Sequence, residues 1–537
     1  MLTTLIVVAG VANVNLAVAN VALPSIGREL DTTQTGLNLV AVGFSLGLAA
    51  SVLYLGALGD RYGRKQLVVA GMGLTIPAGL LAAFAPSTEL LIAGRLLGGL
   101  AAGMAFPTTL ALVSALWSGV PATRAIALWS GIGGGLSILG PLIAGALLTT
   151  FWWGSVFLVS VPLAVVGLVL TISFIPNHVN ESSDPVDNLG GVLSVLFVAT
   201  LVLAINFAPE PGMTATAVGL GVVAVAALVA FVVRQRRARK PLYDLDIARR
   251  RLFWVAAVAG IIVFGALMGG MFIGQQFIQN VLGYSTLAAG FAVLPQAIGM
   301  VAMAPLSAAA VVRFGSRAVL LVGFGVVMAG FIVMLVLWDE GTSYVAVGGA
   351  YLLVGIGVGL AATPSSRALV ESVPVRRAGM ASATADLQRD LGGAVMQSLL
   401  GAVLAAGYAA AIRSAIAAAP AEEQSQVTDQ VSASLQRSFG SATDLASRYP
   451  QYASDISAAA ESSFLSGANW AYAVGIVAMA VGAAVVALFY PGRKEELRLV
   501  ASYAAADTPH TPDAPDTSDA PNGGGQGSGG QGGVITS

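Results

Sequence analysis

The feature that most constrains this chain is the recurrence of apolar runs about 20 residues long, the length that crosses a hydrocarbon layer of roughly 30 Å as a helix. Fourteen such runs, bounded by charges or turn residues, lie at about 3–24, 37–58, 67–86, 90–112, 125–148, 155–175, 190–208, 214–233, 253–277, 287–309, 318–337, 345–363, 380–407 and 467–490. Lipid offers the backbone no hydrogen-bond partner, so each run must satisfy its own N–H and C=O groups, and the chain reads as an all-α integral membrane protein. Only 10% of its residues are charged, against about 25% in soluble proteins, which excludes a soluble fold. Lys and Arg number 26 against 27 Asp and Glu, leaving no cationic face for nucleic acid. There is no cysteine, and the two histidines, His178 and His510, lie in polar segments. Disulfides, thiol chemistry and Cys/His metal sites are therefore excluded. Neither a P-loop nor a nucleophile–base motif is present, so we expect no enzyme, no cofactor and no direct use of ATP.

The first run opens at Met1 without a charged leader segment or a cleavage site, and is expected to stay as a membrane helix. With Met1 on the cytoplasmic side, 20 of the 26 basic residues fall in cytoplasmic loops, including Arg61, Arg64, Lys65 and the cluster from Arg234 to Arg251. That bias places both termini in the cytoplasm. The acidic loop 176–188 and the basic segment 234–251 bracket one pair of runs. The expected organisation is a six-helix half (1–175), an inserted two-helix hairpin with its loops (176–251), a second six-helix half (252–490) and a disordered cytoplasmic tail (491–537). A short echo, GDRYGRK at 59–65 and RFGSR at 313–317, is the one visible trace of duplication. The polar stretch at about 409–466 falls outside the cell by parity. Its Val427, Val431, Leu435 and Phe439 recur at four-residue steps, which predicts one amphipathic helix in a small cap, either packing on its neighbours or acting as a lid.

The residues Gly56-Ala57-Leu58-Gly59-Asp60-Arg61-Tyr62-Gly63-Arg64-Lys65 resemble the loop signature of the major facilitator superfamily, in the place that family has it. Asn20 to Pro24 closing the first run, Gly140-Pro141-Leu142-Ile143-Ala144-Gly145 in the fifth and Gln279 to Ser285 after the ninth narrow the resemblance to fourteen-helix drug/proton antiporters of QacA/EmrB type. The resemblance covers about 1–405 and the last run. It implies the major facilitator fold, alternating access and location in the bacterial inner (cell) membrane. Residue chemistry agrees with parts of this. Gly56, Gly59 and Gly63 let helix ends approach, Asp60 suits the positive end of a neighbouring helix, and Arg61, Arg64 and Lys65 suit the headgroup layer. The resemblance names the start of the thirteenth helix, near Gly379, as that neighbour and the motif as a gate. Gly140, Pro141 and Gly145 allow close packing and a bend, and the resemblance marks them as the antiporter motif.

Ionisable groups inside a bilayer need a partner or a purpose. Arg95 lies in the fourth run, followed at the third position by Gly98, where the resembling family has Gln. Counting nine residues back from Pro24 reaches Asn15, where that family carries its proton-coupling Asp. An amide cannot titrate, so Arg95 is expected to have an amide beside it. The thirteenth run carries Asp386, Arg389 and Asp390 instead. At 1.5 Å per residue from Gly379 the two carboxylates reach about 10 and 16 Å deep, within one helix face. Either Asp386 or Asp390 is the proton site, or both belong to a charge cluster locked to Arg389 or to Arg95. Gln275, Gln276 and Gln296 are candidates to line a substrate cavity, with helix–helix hydrogen bonds as the alternative.

The resemblance implies a monomeric exporter that exchanges a small hydrophobic, cationic drug-like compound for protons, with membrane lipids around it. Two other readings remain open: an exporter of lipid or another amphiphile with weak or no proton coupling, and a non-transporting receptor or scaffold.

Overall fold

Helix is the only regular structure among the described residues of the computed structural model, which are 1–117, 125, 128–129, 139–177, 185–373, 378–419, 424 and 427–507. Thirteen of these helices are long and apolar enough to span a membrane. Nearly half of the expected fifth span, 125–148, lies outside the described residues, with a helical stretch at 139–147 in view. The first half contains α1 (Leu2–Glu29), α2 (Gln34–Tyr62), α3 (Arg64–Ala83), α4 (Thr88–Leu116), and α5 (Ser155–Leu158) running into α6 (Ser160–Phe174). The inserted pair is α7 (Asn188–Phe207) and α8 (Thr214–Arg237), followed by the short α9 (Leu245–Ala248). The second half contains α10 (Arg251–Asn280), α11 (Thr286–Ala292), α12 (Leu294–Phe314), α13 (Ser316–Leu337), α14 (Tyr344–Glu371) and α15 (Ala378–Ala418). Then come α16 (Asp429–Arg437), α17 (Phe439–Arg448), α18 (Ala453–Phe489) and α19 (Arg493–Asp507).

Hydroxyl caps start several of these helices: Thr33, Ser87, Ser285 and Ser343 each accept the N–H three residues on. Such a bond satisfies one of the free N–H groups that every helix start exposes. Small residues then set the packing. A Cβ on Gly99 of α4 would overlap the Phe44 carbonyl of α2, and one on Gly355 of α14 would overlap the Gln296 carbonyl of α12. Backbone meets backbone at both places, which is how helices gain contact where lipid removes the hydrophobic drive.

The bundle has two ends. One carries the cap formed by 427–452, and we call it the cap end. The other carries the basic loops at 61–65, 234–251 and 313–317, and we call it the basic end. At the basic end both echo loops turn on a glycine in the left-handed region, Gly63 with φ 115° and Gly315 with φ 86°, a conformation other residues adopt only with strain. The inserted helices pack on each other, with Val218, Val222, Val225 and Val229 of α8 exposed, as a lipid-facing surface should be. Asp187 fastens their base: its carboxylate accepts from Gly190 N (3.1 Å), Arg234 Nε (2.9 Å) and Gln235 Nε2 (3.1 Å). Deeper in, Asn206 of α7 joins both halves, accepting from Asn38 Nδ2 of α2 (2.5 Å) and donating to Ser398 Oγ of α15 (2.7 Å).

Two expectations need correction. The cap has two helices, since α16 stops where Ser438 turns to extended backbone (φ −168°, ψ 165°) and caps α17. Val431 and Leu435 therefore lie on α16, Val427 precedes it and Phe439 opens α17. Apolar spacing continues across the break because both helices pack on the same surface, where Phe439 meets Phe464 of α18 edge-on at 6.2 Å. The tail is also not uniformly irregular, because 493–507 forms α19. Glu496 is buried there, accepting from Ser316 N (3.3 Å) and Ser316 Oγ (2.5 Å). Tyr490 donates its hydroxyl to the same carboxylate at 3.3 Å, and burial together with that carboxylate pushes this phenol above its ordinary range. Arg251 reaches Glu495 (2.8 Å) and Arg493 packs on Gly315. Residues 508–537 lie outside the described part.

Candidate functional site

Among the described residues, charge deep inside the membrane spans lies in two places. The first is Arg95, about two turns into α4 and 2% exposed. Its Nε donates to the Val40 carbonyl of α2 (3.1 Å) and its Nη1 to the Asn15 carbonyl of α1 (2.8 Å). The guanidinium also lies 5.1 Å from the centre of the Phe44 ring and 5.5 Å from that of Phe157, within cation–π range. Asn15 therefore serves Arg95 through its main chain, while its side-chain amide bonds back to Val11 O at 3.2 Å. Gly98 faces the same ring: a Cβ there would meet Phe44 at ordinary contact distance, 3.4 Å.

The second place is α15. Asp386 accepts from Arg389 Nη2 at 2.7 Å, a bond across three residues of one helix. Arg389 then lies 5.2 Å over the Phe106 ring of α4, a contact between the two halves. Asp390 is 4% exposed, and among the described residues it has neither a hydrogen bond nor an ion pair, with Oδ2 fully enclosed. Of the two partners expected for these carboxylates, Arg389 takes Asp386 and Arg95 takes neither. Toward the basic end the next turn meets the loop before α9, where Thr384 donates to the Tyr243 hydroxyl at 3.3 Å. Burial pushes that phenol above its usual range.

The halves meet along a polar seam at the cap end. Gln34 Nε2 donates to Gln276 Oε1 (3.0 Å), Gln279 Nε2 to Val21 O (3.0 Å) and Asn38 Nδ2 to Ser398 O (3.3 Å). Thr286 Oγ1 donates to Gly145 O at 3.2 Å. The antiporter motif takes part here: Pro141 packs against Gly290, and a Cβ on Gly145 would run into Thr286 O at 2.7 Å. The cap adds a clasp, with Asp31 accepting from Arg437 Nη1 (2.7 Å) and Ser441 Oγ (2.9 Å). Gln275 donates within its own half, to Ala289 O at 3.0 Å. Gln276 sits in the seam, and Gln296 is buried with an enclosed, unpartnered Oε1. In this conformation Gln275 and Gln276 are taken up by helix contacts.

In the gate motif, Gly63 ends α2 and starts α3, and Gly59 passes close to Leu67. Arg64 donates to Ala111 O (3.3 Å), and Lys65 to Ile172 O (3.0 Å) and Asn177 Oδ1 (2.9 Å). Arg61 lies against the Tyr62 ring at 5.7 Å, and Gly56 has open space around it. The Asp60 side chain and residues 374–377 lie outside the described part, as does the expected contact between them.

Sequence reasoning passed over Gln34, Asn38 and Asn206 as seam residues and Asp31 as a clasp. Isolated amides within apolar runs were the available signal for the first three.

Comparison with known proteins supports the architecture. The Major Facilitator Superfamily model matches residues 5–397. The multidrug efflux pump LfrA of Mycolicibacterium smegmatis is 31% identical over 468 residues, which is 87% of this chain and 90% of that protein. The multidrug resistance protein Stp of Mycobacterium tuberculosis is 33% identical over 389 residues, 72% of each chain. The structure of a bacterial homolog of the human lysosomal transporter Spinster, in an inward-facing and occupied conformation, superposes with a TM-score of 0.61. It covers 92% of this chain and 97% of its own at 15% identity, a likeness of fold alone. With a family model across most of its length and a multi-pass bundle of this architecture, the chain belongs to the Major Facilitator Superfamily, as a transporter and not an enzyme.

Proposed function

We propose that this chain is a monomeric exporter of small hydrophobic, cationic drug-like compounds in the cell membrane, driven by protons through alternating access. Both termini and the basic end face the cytoplasm, and the cap faces outward. The seam then closes the outer side, and transport requires the halves 1–175 and 252–490 to rock about the mid-plane. The relatives named as multidrug pumps support the substrate class. The single observation that carries proton coupling is Asp390, a buried carboxylate with no hydrogen bond or ion pair, one turn from the Asp386–Arg389 pair. Such a group holds a proton until a cationic substrate or water reaches it. Gly56 to Lys65 form the gate on the cytoplasmic side, and Gln296 is the remaining candidate for the cavity wall.

Asn15 supports a second reading, an exporter of amphiphiles with weak or no coupling, because no carboxylate stands beside Arg95. Proteoliposomes with an imposed pH gradient separate the two. Lipophilic cations should release protons with the native chain, and Asp390→Asn should keep downhill flux while losing release. Flux of labelled lipid without any proton movement would select the second reading.

A further inference from the structure

Arg95 presents a problem that its visible partners do not solve. A guanidinium carries five N–H donors and a full charge, and here two carbonyls and two ring faces answer it. Among the described residues no carboxylate lies within ion-pair distance, and the enclosed Nη2 has no partner. Carbonyl dipoles and ring quadrupoles lower the energy of a buried cation but leave its charge uncompensated, and a buried charge without a counter-charge is strongly disfavoured.

Beside Arg95 lies a small recess, partly open to solvent, between α1, α2, α3, α4 and the junction of α5 with α6. Its polar lining is Asn15, Thr75 and Ser160 with Arg95 itself, and no acidic side chain contributes. The hydroxyls of Thr75 and Ser160 donate to the carbonyls of Gly71 (2.9 Å) and Phe157 (2.7 Å). The Asn15 amide gives one hydrogen to Val11 O, which leaves its second N–H available. The space takes a group about the size of one water or one monatomic ion, far below the roughly 300–1,000 Å³ of drug-sized sites.

We propose that this recess holds a small monovalent anion of chloride size, which supplies the counter-charge to Arg95 through Nη2 and the free amide N–H of Asn15. One unpaired positive charge calls for one negative charge; a divalent anion would carry surplus charge into the span. The assignment is independent of how protons are coupled, since it involves neither Asp386 nor Asp390.

The test is thermal unfolding of the full chain in detergent, titrating sodium chloride or bromide against sodium gluconate at constant ionic strength. Chloride and bromide should raise the melting temperature saturably, as a ligand bound only by the folded state does. Asn15→Asp places a carboxylate in the recess, so it should melt higher than the native chain in gluconate and lose the halide response. Arg95→Gln should lose the response as well. A native chain indifferent to halide, or an Asn15→Asp variant that responds as strongly as the native chain, overturns the proposal. Stabilisation in gluconate by dodecanoate but not by chloride overturns it too, because the anion would then arrive on an amphiphile.

Discussion

Arg95 and Arg389 are both arginines within the span, and both lie over a phenylalanine, but their charges are met in opposite ways. Arg389 finds Asp386 one turn back on its own helix and keeps 32% of its side chain accessible. Arg95 is sealed, and every group that touches it comes from another helix. The first arrangement is local and can be lost or remade within α15. The second exists only when α1, α2, α4 and α5 are assembled, so Arg95 acts as a lock on the packing of the first half, whereas the α15 cluster can change its protonation or its partners during transport.

Four measurements sharpen or break this contrast. The largest effect is expected from Asp390→Asn, which should reduce gradient-driven drug efflux at least about tenfold, equivalent to about 1.4 kcal/mol, while downhill exchange continues. Equal losses of both activities would place Asp390 in the packing instead. Next is Arg95→Lys, which keeps the charge but cannot reach two carbonyls with a planar fork. It should lower stability by about 1–3 kcal/mol, the range for an unsatisfied buried polar group, read from melting in detergent. A Lys variant as stable as the native chain would show that charge alone matters there. Arg389→Gln leaves the buried Asp386 carboxylate without its partner, so it should alter the pH dependence of efflux. Unchanged pH dependence would separate Arg389 from coupling. The smallest effect belongs to Asp31→Asn at the cap clasp, where both side chains of the Asp31–Arg437 pair are well exposed. A change below about 1 kcal/mol should shift the population modestly toward an open cap end. A single cysteine at Gln34, in a chain that has none of its own, would report it through faster labelling.

Much of the architecture was legible in advance because membrane helices answer to a one-dimensional rule: apolar length and flanking charge suffice when every backbone group must be satisfied within its own segment. The Asp386–Arg389 pair was legible for a similar reason, since a spacing of three residues on a helix is a contact. The misreadings arose where a second surface intervenes. The apolar stripe from Val427 to Phe439 looked like one helix because α16 and α17 pack on the same face despite the break at Ser438. The segment 493–507 looked like part of the disordered tail, but its Glu496 is held by Ser316, 180 residues away in the chain, and by the nearby Tyr490. Gln275 and Gln276 could equally have faced a cavity or a neighbouring helix. Composition cannot distinguish those two surfaces when both are polar.

The sequence by itself determined that the chain spans the membrane many times, which runs are apolar enough to do so, and that Arg95 and the α15 cluster are ionisable groups deep within those runs. Only the tertiary structure decided which carbonyls and rings enclose Arg95, which carboxylate among the described residues is left without a partner, and which amides build the polar seam at the cap end. The physical reason is range. Burial in lipid and helix periodicity act through neighbours in the chain, whereas the partners of a buried charge are chosen by where distant helices come to rest.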